Sequence, residues 1–154
     1  MIGDAFSGGG KSIKSNIIET PTEFIKTLSE YVQLRGDRVI LSGSVQSTTT
    51  SVFYTIPKNK LLFIFAVSLH QVTNGVGNAR GSFDIGNSVV MLQQVQSTSV
   101  WNDTLSFNPP LIIKTDENLS VSKNNNNSNH ISRCNVTGFL LDVAVAGMSS
   151  IKPP

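Results

Sequence analysis

Charge is scarce in this chain. Of 154 residues only 14% are Asp, Glu, Lys or Arg, and 12 basic against 10 acidic side chains leave a net charge of +2. The basic residues are dispersed, without the stripe that a phosphate-neutralising protein presents, so direct nucleic-acid binding is not expected. Long apolar runs are missing too. The longest, residues 61–67, is strand-length and far short of the ~20 residues that span a bilayer. No membrane partner is expected, and residues 1–6 lack the basic-then-apolar succession of a secretory leader. A single cysteine, Cys134, rules out an internal disulfide and reads as a small side chain tucked into a strand.

The shortage extends to reactive groups. His70, His130 and Cys134 are the whole stock of imidazole and thiol. His130 and Cys134 share one face of a strand but sit ~13 Å apart along it, too far to close on one ion. Both histidines read as strand-edge or core residues. Neither stands in a nucleophile motif that would pair a base with one of the many serines. Asp84, Asp103, Asp116, Glu117 and Asp142 could supply a carboxylate pair for glycoside hydrolysis, but Asp116 and Glu117 fall in a turn, where solvated acids are ordinary. The segment Ala5-Phe6-Ser7-Gly8-Gly9-Gly10-Lys11-Ser12 fits a relaxed phosphate-loop pattern. Only four residues precede it, too few for the strand that must feed such a loop, and Pro21 interrupts the chain beyond it. A linker is the better reading. No enzyme activity, cofactor or metal is expected.

What the chain does have is short β-forming runs. Residues 1–18 are rich in glycine and serine and bury too little to order alone, so residues 1–20 read as a flexible arm. Thr20-Pro21-Thr22-Glu23 forms a capping box with proline at the first helical position. Phe24, Ile25, Leu28, Tyr31 and Val32 then recur at spacings of three and four, which predicts a short helix from Pro21 to about Leu34, closing near Gly36. From residue 38 the pattern is β, with strands expected at 39–45, 52–56, 61–72, 82–85, 89–96, 100–107, 111–114, 119–123 and 131–145. Pro57, Gly86-Asn87, Asn108-Pro109-Pro110, Asp116-Glu117-Asn118 and the Asn124–Asn127 run punctuate them. Eight or nine such strands imply a sandwich or barrel. The domain plan is an arm at 1–20, helix and connector at 21–37, a β-sandwich at 38–147 and a tail at 148–154.

Alternation assigns faces. Trp101, Leu105 and Phe107 share one parity, which places Trp101 in the core. The competing reading makes Trp101, Asn102 and Asp103 a ligand-facing platform on which a sugar stacks. Residues 61–67 are apolar on both faces, so this strand is central or covered by another subunit. The Thr73–Arg80 and Asn124–Asn129 loops are polar tips of the sort that carry recognition. Four Asn-x-Ser/Thr sequons, at Asn102, Asn118, Asn126 and Asn135, are read as unglycosylated.

Tyr54-Thr55-Ile56-Pro57-Lys58-Asn59-Lys60 resembles a segment of small β-sandwich structural proteins of phage and virus particles. Phe107-Asn108-Pro109-Pro110-Leu111 looks like their Phe-x-Pro-Pro-Leu strand, and Glu117–Ser122 with Val136–Leu140 is similar to their closing strands. The resemblance covers residues 52–145. It implies an all-β, antiparallel, jelly-roll-like β-sandwich with an N-terminal extended arm and one short helix. It also implies a virion location, as a capsid, vertex, decoration or tail-associated subunit among other virion structural proteins. The expected assembly is a homo-oligomer, trimer or pentamer, whose arm reaches a neighbour through Phe6, Lys11, Lys14, Ile17 and Ile18. The alternative is a lectin-like module that recognises a host glycan.

Overall fold

The computed structural model describes residues 21–143, with side chains from residue 28 onward. The arm, with Phe6, Lys11, Lys14, Ile17 and Ile18, and the C-terminal tail lie outside the described residues. The chain divides between Tyr31 and Val32 into two compact units. The first contains most of helix α1 (Pro21–Arg35); the second contains its last turn and eight strands. These are β1 (Asp37–Val45), β2 (Thr50–Thr55), β3 (Lys60–Thr73), β4 (Ala79–Ile85), β5 (Ser88–Val95), β6 (Ser99–Ile113), β7 (Asn118–Lys123) and β8 (His130–Asp142).

The strands form two four-stranded antiparallel sheets, ordered β1-β8-β3-β6 and β2-β7-β4-β5. Only β4 and β5 are consecutive neighbours within one sheet; every other connection crosses between sheets. That wiring is a jelly roll, the double-sheet solution that wraps two Greek keys around one core. The expected fold class is therefore the observed one.

Alternation explains the core. In β1, Val39 and Leu41 face the facing sheet and Val45 is buried, while Ile40 points outward. In β3, Leu62, Ile64, Val67 and Leu69 meet Phe83, Leu119 and Val121 from the opposite layer. Burying each such side chain contributes roughly 1.5–3 kcal/mol. The first half of β3 is buried on both faces, as its unbroken apolar run requires. Phe63 and Leu61 on the outward parity are buried along with Leu141 of β8. There the last turn of α1 supplies cover: Val32 is fully buried, and Gly36, which donates to the Val32 carbonyl at 2.8 Å, lies against Leu141 and Phe139. A Cβ at Gly138 would overlap the Phe63 carbonyl, so β8 approaches β3 more closely there than any other residue would permit.

One boundary differs from expectation. Asn108-Pro109-Pro110 does not end a strand; it lies inside β6, which runs unbroken to Ile113. The pairing with β3 jumps from Ile64–Leu111 to Ala66–Ser106, so four residues, Phe107 to Pro110, stand opposite Phe65 alone. Proline lacks the N–H a ladder needs, and β6 tolerates it because it is an edge strand with a bulge at that point.

Candidate assembly interface

The edge strand β6 is where the sandwich fails to cover itself. On one side it pairs with β3, matching Gln71 with Trp101, Leu69 with Asp103 and Val67 with Leu105. Its other side meets no strand among the described residues. The parity read from sequence holds: Trp101 and Leu105 stand on the same face as buried Gln71 and Val67. Core burial does not follow. Trp101 is 53% exposed and Leu105 40%, on the last strand of their sheet. Val100, on the opposite face, is 65% exposed. Between Ser99 and Phe107 the strand carries one charge, Asp103, and no lysine. Charges, lysines and prolines are the usual means of blunting an edge, so this stretch is poorly protected against pairing.

Trp101 is nonetheless fixed. The Gln93 amide of β5, oriented with its oxygen toward the indole, accepts from Trp101 Nε1 at 2.8 Å and donates to the Leu69 carbonyl at 3.2 Å. The ring thus bridges the open seam between the sheets and leaves a face to solvent. Asn102 stands on the other side of the strand, opposite His70, while the Asp103 carboxylate accepts from the Thr104 N–H at 2.9 Å. Of the three residues weighed as a ligand platform, Trp101 and Asp103 share a face and Asn102 does not.

The remaining polar residues are largely absorbed by structure. His130, fully buried, hydrogen-bonds Gln71 Oε1 through Nε2 at 2.7 Å and Asn125 Nδ2 through Nδ1 at 2.9 Å. Gln71 gives its own amide N–H to Ser132 Oγ at 2.8 Å, so its oxygen is the acceptor for His130. That fixes His130 as the neutral Nε2–H tautomer, accepting at Nδ1. Burial, reinforced by the Lys123 charge, holds its pKa below the usual imidazole value. Lys123 is a residue that strand reading passed over, although it shares parity with inward-facing Leu119 and Val121. Its ammonium donates to the carbonyls of Asn127 and His130 at 2.7 Å each and to that of Gln46, tying two loops to one strand end. Burial lowers its pKa.

The Asn-rich loop belongs to the same scaffold. Asn124 accepts from the Arg80 N–H and donates to the Asn78 carbonyl, both at 2.8 Å, and Asn125 and Asn127 cap the backbone N–H groups two residues on. Cys134 is buried in the core, and burial, with a smaller push from Asp84, drives its thiol pKa up to about 12, which makes it inert. The carboxylates weighed for catalysis are dispersed. Asp84 is on β4 and Asp103 on β6, while Asp116 pairs with Lys58 at 3.3 Å and Asp142 with Lys60 at 2.9 Å. The Asp142 hydrogen bond raises the Lys60 pKa. Among the described residues no three His, Cys, Asp or Glu side chains converge on a metal-sized site, and no helix is long and apolar enough to cross a membrane.

No protein-family model matches the chain, and no curated protein matches its sequence. Among solved structures it is similar to the acidic stable capsid of Helicobacter pylori bacteriophage KHP30, over 71% of this chain and 94% of that one, at 11% identity and a TM-score of 0.47. It is also similar to the cyanophage Pam1 capsid, over 68% and 86% of the two chains, at 12% identity and 0.44. A third is the PRD1 vertex protein P5, over 68% and 97%, at 11% identity and 0.38. Phage capsid and vertex proteins are among the structures this chain is similar to. Likeness at this level concerns the sandwich, and a jelly roll hosts unrelated functions.

Proposed function

We propose that the chain is a non-enzymatic structural component of a virion that self-associates through the exposed edge of β6. The observation that carries this reading is the stretch from Ser99 to Phe107: unpaired on one side, singly charged, with Val100, Trp101 and Leu105 in solvent. A sandwich that leaves such an edge open is stabilised when sister copies or neighbours close it, and symmetric rings do this for every copy at once. The trimer or pentamer fits that demand. Residues Phe6, Lys11, Lys14, Ile17 and Ile18 give the arm apolar and basic contacts for a second subunit, adding affinity by effective concentration.

Light scattering coupled to size exclusion tests the reading, on wild type and on a Trp101→Lys, Leu105→Lys double variant. An oligomer that dissociates to a folded monomer in the variant, with an unchanged far-UV spectrum, is the expected result. A wild-type monomer at high concentration, or an oligomer indifferent to both lysines, would overturn it. A second reading, as a glycan-binding module, draws on the solvent-facing side of the Trp101 indole. It predicts binding on a glycan array that Trp101→Ala abolishes without unfolding the protein.

A further inference from the structure

Three loops meet at one end of the sandwich, and the Asn124–Asn129 segment joins them. Its six residues are five asparagines and a serine, so no apolar side chain anchors it. Hydrogen bonds position it. Toward the β3–β4 loop, the Asn129 carbonyl accepts from the Asn74 N–H at 3.0 Å, and Asn124 Nδ2 donates to the Asn78 carbonyl at 2.8 Å. Toward the β1–β2 loop, the Ser128 carbonyl accepts from Gln46 Nε2 at 2.9 Å. Beneath them the Lys123 ammonium gathers the carbonyls of Gln46, Asn127 and His130.

His130 closes this junction from below, and two independent contacts fix its protonation. Gln71 Oε1 accepts from Nε2, because the Gln71 amide N–H is spent on Ser132. On the other side Asn125 Nδ2 donates to Nδ1. That amide is held in place: Nδ2 also meets Asn124 Oδ1 at 2.9 Å, and Asn125 Oδ1 accepts from the Asn127 N–H at 3.0 Å. The contact therefore exists only while Nδ1 carries no proton. A proton there sets two donors against each other at 2.9 Å. Rotating Asn125 to offer its oxygen would break two hydrogen bonds to mend one. The charges nearby add to the conflict. Lys123 of β7 acts on the ring and has the same sign. Arg80 of β4 is exposed, and Arg133 of β8 and His70 of β3 pair on the outward parity. Asp84 of β4 is also outward and bound to Ser122, while Cys134 keeps its proton. No carboxylate pairs with Lys123 or His130 among the described residues. An imidazolium here is buried beside an ammonium without a counter-charge. Directly across the β3–β8 ladder, Thr73 Oγ1 is buried with no hydrogen-bond partner, so it gains water when the junction parts.

We propose that His130 is a proton-operated latch: a proton on Nδ1 expels Asn125 and frees the Asn124–Asn129 loop from its two neighbours while both sheets stay paired. The Nε2–H bond to Gln71 exists in both protonation states, so the β3–β8 ladder does not depend on the switch. Opening returns the ring to water and to its ordinary pKa, whereas burial and Lys123 hold that pKa lower in the shut state. The shut state is therefore fully favoured above about pH 6.5, and its advantage shrinks as pH falls toward the lowered value. Loops open locally at less cost than central strands part. The latch works within one subunit and stands independently of self-association through β6.

The test follows full-length, isotope-labelled protein by NMR from pH 7.5 to 4.0, reading the His130 ring and the backbone amides together. The amides of Asn74, Arg80, Asn127 and Asn129 are expected to move to exposed-loop positions along the His130 titration curve, with a midpoint below about 6.5. Those of Val67 to Leu69 in β3 should hold theirs. Asn125→Asp inverts the contact, since its carboxylate accepts from a protonated Nδ1. The His130 midpoint should then rise by about one unit or more, and the loop should stay shut in acid. If that variant disturbs the loop at neutral pH, His130→Gln keeps a donor for Gln71 and removes the titration, so the loop amides should become independent of pH. A loop that stays shut while His130 titrates would overturn the proposal. So would loop and core amides lost together, a ring that never titrates, or opening at an unchanged pH in Asn125→Asp or His130→Gln.

Discussion

Strands β3 and β6 are neighbours in one sheet, 14 and 15 residues long and both rich in apolar side chains, yet they live in opposite environments. Along β3 nearly every side chain is buried or half-buried; along the first half of β6 nearly every one is in solvent. Composition does not separate them, and neither does alternation, since Trp101 and Leu105 have the inward parity. Position does. β3 lies between β8 and β6 with a facing layer on one side and the end of α1 on the other, whereas β6 is the last strand of its sheet.

That contrast makes its sharpest prediction in β3. Phe63→Ala should destabilise the sandwich by about 3–5 kcal/mol in urea unfolding, the range for deleting a buried aromatic ring. A loss below ~1 kcal/mol would mean that the outward face of β3 is less covered than its burial indicates. The polar end of β3 gives the next test. Gln71 is held by neutral His130, whose native pKa is lowered, so the unfolded chain takes up the proton first as pH falls. Stability is therefore full above about pH 6.5 and declines as pH drops through that value toward the lowered native one. His130→Gln should flatten this slope in thermal melts at pH 7.5 and 5.5. The smallest effect belongs to β6, where Val100→Thr should leave folding stability within about 0.5 kcal/mol of wild type while weakening association.

Much of the fold was legible in the sequence because it is written in local terms. Pro21, Gly36 and the three-and-four spacing mark α1; turn residues bracket most strands; parity puts Leu119 and Val121 on one face, but it also groups Val136 with outward-facing Asp142, whereas Val136 is fully buried in the core. Sheet order is not local. Nothing in residues 99–107 says that β6 is an edge, and so nothing says that an inward-facing tryptophan will stay half in water. The proline pair misled for a related reason: Pro109 and Pro110 end a central strand but only bulge an edge one. Lys123 and Asp84 share a simpler cause. Lys123 has the inward parity of Leu119 and Val121 and Asp84 the outward one, but a charged side chain within a strand is ordinarily assigned to solvent, and only the packed partners reveal that both are buried.

The bulge opposite Phe65 also sets a limit on growth. An added strand can follow β6 only from Ser99 to Phe107, about 30 Å at the usual rise, before Pro109 and Pro110 withhold the donors needed to continue. Edge-to-edge contact on this molecule is therefore metered: long enough to orient a neighbour, too short to template an endless fibril.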